Sequence, residues 1–355
     1  MIARRTLLAA TFLVAPMAWA RSPRPRDIRA IERRRLLPQS AALLAAAPRT
    51  ITAIPAERSP AGPQDYYSEG DYWWPDPADP GPYVRRDGRS NPDKFDGHRD
   101  ALIAFGRTVP ALAALWDLTG EARFAAAAIC HLDAWFVDPA TRMNPDLNHA
   151  QAIIGANGGR AIGVIDTLQI VEVARAATLF ARREAPGYAA IRKGVEDWFS
   201  AYLAWLTQSP FGMEERDQKN NHGTCWLLQA TTFAALLGRD DLLADARTRL
   251  QTVIIPTQIA PDGSQPLELA RTKPYAYSLF NLDVLAATAW LLAEGVGELV
   301  VWQTPDGRSI ARALGWMAPF IADRGGWALA PDIEYWGAFP VRQPSLLFGG
   351  LALRR

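Results

Sequence analysis

Four times along this chain one amphipathic helical pattern is followed by a second across a short connection, and that recurrence narrows the possible fold more than any other feature. His98 to Trp116 carries Leu102, Phe105, Val109, Leu112 and Leu115 at three- and four-residue spacing, one apolar stripe. The turn Leu118-Thr119-Gly120-Glu121 leads into a second such stretch, Ala122 to Phe136. The same unit recurs as Gly163–Arg183 with Ala189–Thr207, Thr224–Leu237 with Asp241–Val253 across Gly238-Arg239-Asp240, and Tyr277–Glu294 with Ser309–Ala322. A lone hairpin leaves its apolar face in water, so such hairpins must pack side by side. Closed towards a ring they give an all-α fold, an incomplete (α/α) toroid with its long loops gathered at one rim. A solenoid is the weaker alternative, because the units are not close sequence repeats. With 355 residues and 49% hydrophobic content the chain can bury one large core. A single domain over residues 21–355 is expected.

The first twenty residues stand apart. Met1-Ile2-Ala3-Arg4-Arg5, the apolar run Thr6 to Met17 and Ala18-Trp19-Ala20 have the basic start, short apolar stretch and A-x-A end of a signal peptide. The run is too short to span a bilayer, so export to the periplasm or outside is expected, with no integral membrane segment once it is removed. Arg4-Arg5 ahead of Thr6-Leu7-Leu8 also fits a twin-arginine signal. Residues 1–20 hold two arginines and no acids, so their removal takes the formal net charge from +1 to −1. That balance gives no support to nucleic-acid binding. The two cysteines, Cys130 and Cys225, sit in apolar helical contexts and read as buried free thiols. No Cys/His cluster has zinc spacing and no acidic loop has calcium-binding form; no metal or cofactor is expected.

Polar residues concentrate between the hairpins, at 137–160, 208–223 and 254–276. In Lys219-Asn220-Asn221-His222-Gly223-Thr224 two amides and an imidazole stand where a polar segment becomes a helix, a place suited to an anion. A second Asn-His pair, Asn148-His149, precedes a glycine-rich stretch ending at Arg160, where backbone can approach a ligand. Glu268 to Tyr277 adds Arg271, Lys273, Tyr275 and Tyr277 within ten positions. Residues 65–77 mix acids, prolines and aromatic side chains with neither helical nor strand period and read as irregular. Tyr66, Tyr67, Trp73 and Trp74 there serve either as a plug closing the core or as stacking platforms for sugar rings. Arg85, Arg86, Arg89 and Arg160 are candidates for further anionic groups; His98 and His131 lie within helical patterns and read as structural.

These segments together, Tyr66 to Pro75, Asn148-His149-Ala150-Gln151, Asn220 to Thr224, and Glu268-Leu269-Ala270-Arg271 with Tyr277, resemble the alginate lyase family of polysaccharide lyases. The resemblance spans residues 65–281 and is closer to a sister branch than to the mannuronate-specific members. It implies an α/α toroid with a groove for an anionic polysaccharide. It also implies a metal-free β-elimination in which an Asn-His pair, an arginine and a tyrosine act; those roles fall on Asn221, His222, Arg271 and Tyr277, with Tyr275 the rival for the tyrosine. Asn148, His149, Arg160, Lys273 and the aromatic residues of 66–74 then become substrate-binding candidates. The substrate would be poly-mannuronate or β-1,4-glucuronan, and the product an oligosaccharide with an unsaturated 4-deoxy end. Two other classes compete. A glycoside hydrolase on the same fold would need two opposed acids, drawn from Glu214, Glu215, Asp217 or Asp71. A periplasmic sugar-binding protein would keep the aromatic residues without needing a tyrosine beside a cation.

Overall fold

The computed structural model describes residues 27–353; the expected signal segment 1–20 lies outside the described residues. The chain begins with α1 (Ile28–Leu36), capped by the Asp27 carboxylate on Ala30 N–H, and α2 (Ser40–Ala45), separated by a 3₁₀ turn containing Pro38. Pro38 cannot donate to a continuing helix, which is why the basic N-terminal pattern breaks there.

The hairpin helices follow. They are α3 (Gly97–Thr119) and α4 (Ala122–Phe136), α5 (Val171–Arg182) and α6 (Arg192–Gln208), then α7 (Pro210–Arg216). Next come α8 (Asn221–Leu237), α9 (Asp240–Arg249), α10 (Ile255–Gln258) and α11 (Pro266–Leu269). α12 (Pro274–Leu292), α13 (Glu298–Val301), α14 (Ile310–Ala322) and α15 (Pro344–Ala352) complete the chain. α3 and α8 end on Gly120 and Gly238, at φ of +77° and +65°, a left-handed turn that a side chain resists and glycine does not.

Packing sorts these helices into two layers. α3, α5, α8, α12 and α15 stand beside one another in that order, while α4, α6, α9 and α14 lie against them. This is the incomplete (α/α) toroid. α8 has no solvent face, being buried from Gly223 to Ala234, which is why its sequence is apolar on every side while the outer helices carry a stripe. Polar side chains on it are paired inside, Thr224 donating to Gln258 at 2.8 Å and Gln229 accepting from Thr167 at 2.7 Å, while the Thr231 hydroxyl has no partner among the described residues. An aromatic ladder ties the layers, with Phe105 stacked on Trp135 at 4.6 Å, Phe136 against Phe199 at 5.0 Å and Phe199 against Phe233 at 5.1 Å. α3 has the length and apolarity of a membrane span, but its apolar stripe packs on α4 and α5.

The sequence reading needs correction in four places. Residues 65–77 are not wholly irregular: β1 (Tyr67–Glu69) pairs in parallel with β4 (His149–Ala152), and β2 (Trp73–Asp76) pairs antiparallel with β3 (Asp79–Arg85). Within this segment β1 has three residues and β2 four, one of them Pro75, too few to show a period of two. The polar segment 208–223 contains α7, started by Pro210 and by Ser209 Oγ accepting from Gly212 N–H at 3.0 Å. The pattern from Gly163 opens as a 3₁₀ stretch, Ala161–Ile170, before α5. Both cysteines are free, Cys225 buried as expected but Cys130 exposed on α4.

One buried carboxylate joins strand, loop and helix. Asp166 accepts from Ser68 Oγ at 2.6 Å, Tyr66 Oη at 3.1 Å, Gln151 Nε2 at 3.2 Å and Arg99 Nη2 at 3.4 Å. Asp166→Ala leaves these donors unpaired and should lower unfolding free energy by about 3 kcal/mol; a chemical-denaturation midpoint unchanged from wild type would remove Asp166 as the tie.

Candidate functional site

The start of α8 is where the buried helix meets the rim. Asn220 caps it, its side-chain oxygen accepting from His222 N–H at 3.3 Å. A Cβ at position 223 would stand 2.2 Å from the Gln218 carbonyl oxygen, so only glycine lets this turn of α8 lie so close to the preceding chain. Asn221 and His222 are thereby fixed in place, and each is gripped by an acid. Glu268, from α11, accepts Asn221 N–H at 2.7 Å with one oxygen and Asn221 Nδ2 at 2.8 Å with the other. Glu215, from α7, bonds His222 Nδ1 at 2.7 Å. Burial pushes both carboxyls up, while their partners pull them back.

Arg271 and Tyr277 meet beside this corner. The guanidinium donates to Tyr277 Oη at 3.1 Å and lies 4.1 Å from its ring centre, with Asp87 at 3.2 Å as its counter-charge. Tyr277 Oη also shares a 2.6 Å hydrogen bond with Tyr72 Oη. The phenol sits above its ordinary range because burial outweighs the Tyr72 hydrogen bond and the Arg271 charge, both of which lower it. The charge that a base at neutral pH would need is therefore present but does not dominate. Glu268 bonds Asn221 directly and is electrostatically coupled to Arg271, His222 and Tyr277, so one carboxylate is a neighbour common to the four expected catalytic side chains. Tyr72, His222, Arg271 and Tyr277 are half-buried and within reach of solvent; Asn221 is 2% exposed.

Other expected residues fall elsewhere. Tyr275 is not at the site: it is buried against Trp327, Trp336 and Phe339, because two residues at about 100° each put it on the opposite side of α12 from Tyr277. Tyr66 and Tyr67 are buried too, bonded to Asp166 and Glu69, and cannot be open stacking platforms; their part is the plug. Lys273 is also enclosed, paired with Glu334 at 2.9 Å and lying between the rings of Tyr72 and Tyr335. Trp73 lies under Arg160 at 5.5 Å and Trp74 under Arg86 at 5.1 Å, both half-buried on β2.

Asn148 accepts from Trp205 Nε1 at 3.1 Å and His149 Nδ1 faces the Gly158 carbonyl at 3.3 Å; neither touches Asn221, His222, Arg271 or Tyr277 among the described residues. Arg160 bonds Gln151 through its backbone and side-chain oxygens, at 2.7 and 3.3 Å, and has no ion-pair partner among the described residues. Burial, with Arg85 nearby, pushes its guanidinium down to about 10. His98 and His131 are structural, bonded to the carbonyls of Ile54 and Ala46.

Three contributors were not among the expected site residues. Tyr72 was visible only as part of the aromatic segment and Glu268 only as the first residue of the segment bearing Arg271, and Asp87 was not singled out. Of the acids a hydrolase would need, Glu215 is buried against His222, Asp217 and Asp71 are paired with Arg216 and Arg249 and with Arg99, and Glu214 is exposed, with no ion-pair partner among the described residues. Among the described residues no group of three or more His, Cys, Asp or Glu side chains is placed to hold a metal ion. Cavities of about 780 Å³ beside Arg34 and Arg342, and about 450 Å³ over Trp226, contain none of the site residues.

A family model described as alginate lyase matches residues 50–327. Among solved structures, an alginate lyase from Bacteroides ovatus is similar with 31% identity and a TM-score of 0.81, over 92% of this chain and 89% of that one. Alginate lyase A1-III from Sphingomonas species A1 aligns at 18% identity and a TM-score of 0.51, over 84% of this chain and 77% of that one. A variant of A1-III complexed with a tetrasaccharide aligns at 17% and 0.54, over 79% and 72%. At these identities the A1-III structures show likeness of fold alone. No curated protein matches the chain.

The placement of Tyr275 is open to test. Tyr275→Phe loses only the 3.3 Å bond to the Phe320 carbonyl, so it should cost about 1 kcal/mol of stability and leave kcat and KM within about twofold. A large rise in KM for any polysaccharide would return Tyr275 to the site.

Proposed function

Because the chain belongs to the alginate lyase family and is a polysaccharide lyase, we propose that it cleaves a 1,4-linked uronate polymer by β-elimination through Asn221, His222, Arg271 and Tyr277. The observation that carries this is the Tyr277 phenol, held at once by Tyr72 and by Arg271 beside the Asn221–His222 pair. The C5 proton of a uronate is barely acidic until the charge of the C6 carboxylate is neutralised. Arg271 presents a planar, always-charged fork for that carboxylate, and Asn221 an amide hydrogen not taken by Glu268. Electron density freed at C5 forms the C4–C5 double bond as the C4–O4 bond breaks.

Tyr277 acts where the C5 proton and O4 share a face of the sugar, accepting the first and returning a proton to the second. Where they lie on opposite faces, His222 Nε2 takes the C5 proton and Tyr277 supplies O4. Poly-mannuronate and β-1,4-glucuronan are the proposed substrates, since they differ at C2, which this chemistry leaves untouched. The name of the Bacteroides ovatus neighbour favours alginate. The positive charge needed is supplied by side chains, so the reaction is proposed to run without a metal. Residues 1–20 are proposed to direct export, placing the enzyme with secreted polymer.

Ultraviolet absorbance of the new double bond, followed on poly-mannuronate, poly-guluronate and glucuronan separately, should rise on the first or the last and persist in chelator. Tyr277→Phe should lower kcat about 10³-fold. Reducing ends without absorbance would instead mean hydrolysis, and neither signal a binding protein.

The pH profile is a second expectation. A phenol raised above its usual value of about 10 is protonated at neutral pH, so kcat/KM on a same-face polymer should keep climbing into the alkaline range. A plateau reached already below neutrality would take Tyr277 out of the base role.

A further inference from the structure

Both residues of the Asn221–His222 pair have a buried acid behind them. Glu215 is fully buried, with Oε1 on His222 Nδ1 at 2.7 Å and Oε2 without any partner. Glu268 is 1% exposed and spends both oxygens on Asn221. Satisfying buried polar atoms does not require this. His98 and His131, elsewhere in the molecule, have a ring nitrogen satisfied by a backbone carbonyl, with no charge brought in. Two carboxylates sealed in one corner are costly, and Glu215 Oε2 receives nothing in return. What a carboxylate does that a hydroxyl or an amide cannot is accept only. It therefore dictates which end of its partner faces it.

We propose that Glu215 and Glu268 are positioning residues that set the donor–acceptor polarity of the Asn221–His222 pair, a reading that rests on the lyase function above. Glu268 turns the amide nitrogen of Asn221 inward, leaving one N–H and Oδ1 uncommitted. Glu215 keeps a proton on His222 Nδ1 in every state of the ring. The ring is 17% exposed, and among the described residues Nε2 has no hydrogen-bond partner, so the nitrogen left for the substrate is the one that gains and loses a proton. Loaded, Nε2–H faces the C6 carboxylate as part of a cation; empty, it accepts the C5 proton, and Glu215 balances the charge that arrives.

Nitrogen-15 NMR of histidine-labelled protein tests this without substrate, the His222 signals being assigned by their loss in His222→Gln. The neutral wild-type ring should carry its proton on Nδ1. Glu215→Gln, whose amide can accept from or donate to Nδ1, should give a mixture of tautomers, with kcat down about a hundredfold and KM within about threefold. Glu268→Gln should lower kcat while leaving the ring tautomer unchanged. A wild-type ring protonated on Nε2, or Glu215→Gln turning over at the wild-type rate, overturns the proposal. If Glu215→Gln does not fold, the wild-type tautomer decides alone. Failure of the lyase reading would show separately, as wild-type protein that yields no unsaturated product while its tautomer still reads out.

Discussion

The burial of α8 on every side is the constraint from which the rest follows. A helix without a solvent face can offer only its ends, and its N-terminal end carries unpaired N–H groups that need acceptors. Asn220 and Glu268 fill two of those positions, and Gly223 lets the helix start close against the chain from α7. The neighbouring inner helices α5 and α12 hold α8 in the ring, while the outer ones exclude water behind it. Chemistry is thus confined to the rim by packing, before any catalytic group is considered.

Arg271 and Tyr277 come to that rim by a different route. They flank the start of α12, and their geometry depends on the strand hairpin that brings in Tyr72 and Asp87 from 205 and 184 residues earlier. Asp87 also accepts from Thr272 Oγ1 at 3.0 Å, so one carboxylate holds both the guanidinium and the side chain next to it in the sequence. The site is accordingly a junction of three separate pieces: a helix end, a loop and a hairpin.

Helical architecture was legible in the sequence because apolar residues at three- and four-residue spacing persist over several helical turns, as from Leu102 to Leu115. The Asn-His, Arg and Tyr segments were legible as a set through their likeness to a family. Exposure was not. Tyr66, Tyr67 and Tyr275 share a residue type with Tyr72 and Tyr277, and only the third dimension separates plug from site. Nor could the inward acids be found: a glutamate in a polar stretch reads as solvated, and nothing local says that Glu215 and Glu268 end up sealed against the Asn221–His222 pair of α8. The strands escaped because their partners are distant or their prolines hide the alternation.

The start of α12 is finished from the far end of the chain. Asp332 accepts from the backbone N–H groups of Tyr275 and Ala276, both at 2.9 Å, and Glu334 pairs with Lys273. Both acids lie beyond residue 327, where the family match stops. A chain emerging from synthesis therefore exposes the segment bearing Arg271 and Tyr277 long before the residues that cap it. Until Asp332 and Glu334 are in place, α12 lacks acceptors for its first N–H groups and Lys273 lacks its counter-ion. The start of α12 thus depends on residues more than fifty positions further along the chain, and a molecule ending before Asp332 would keep the sequence of Arg271 and Tyr277 while losing these contacts at the head of their helix.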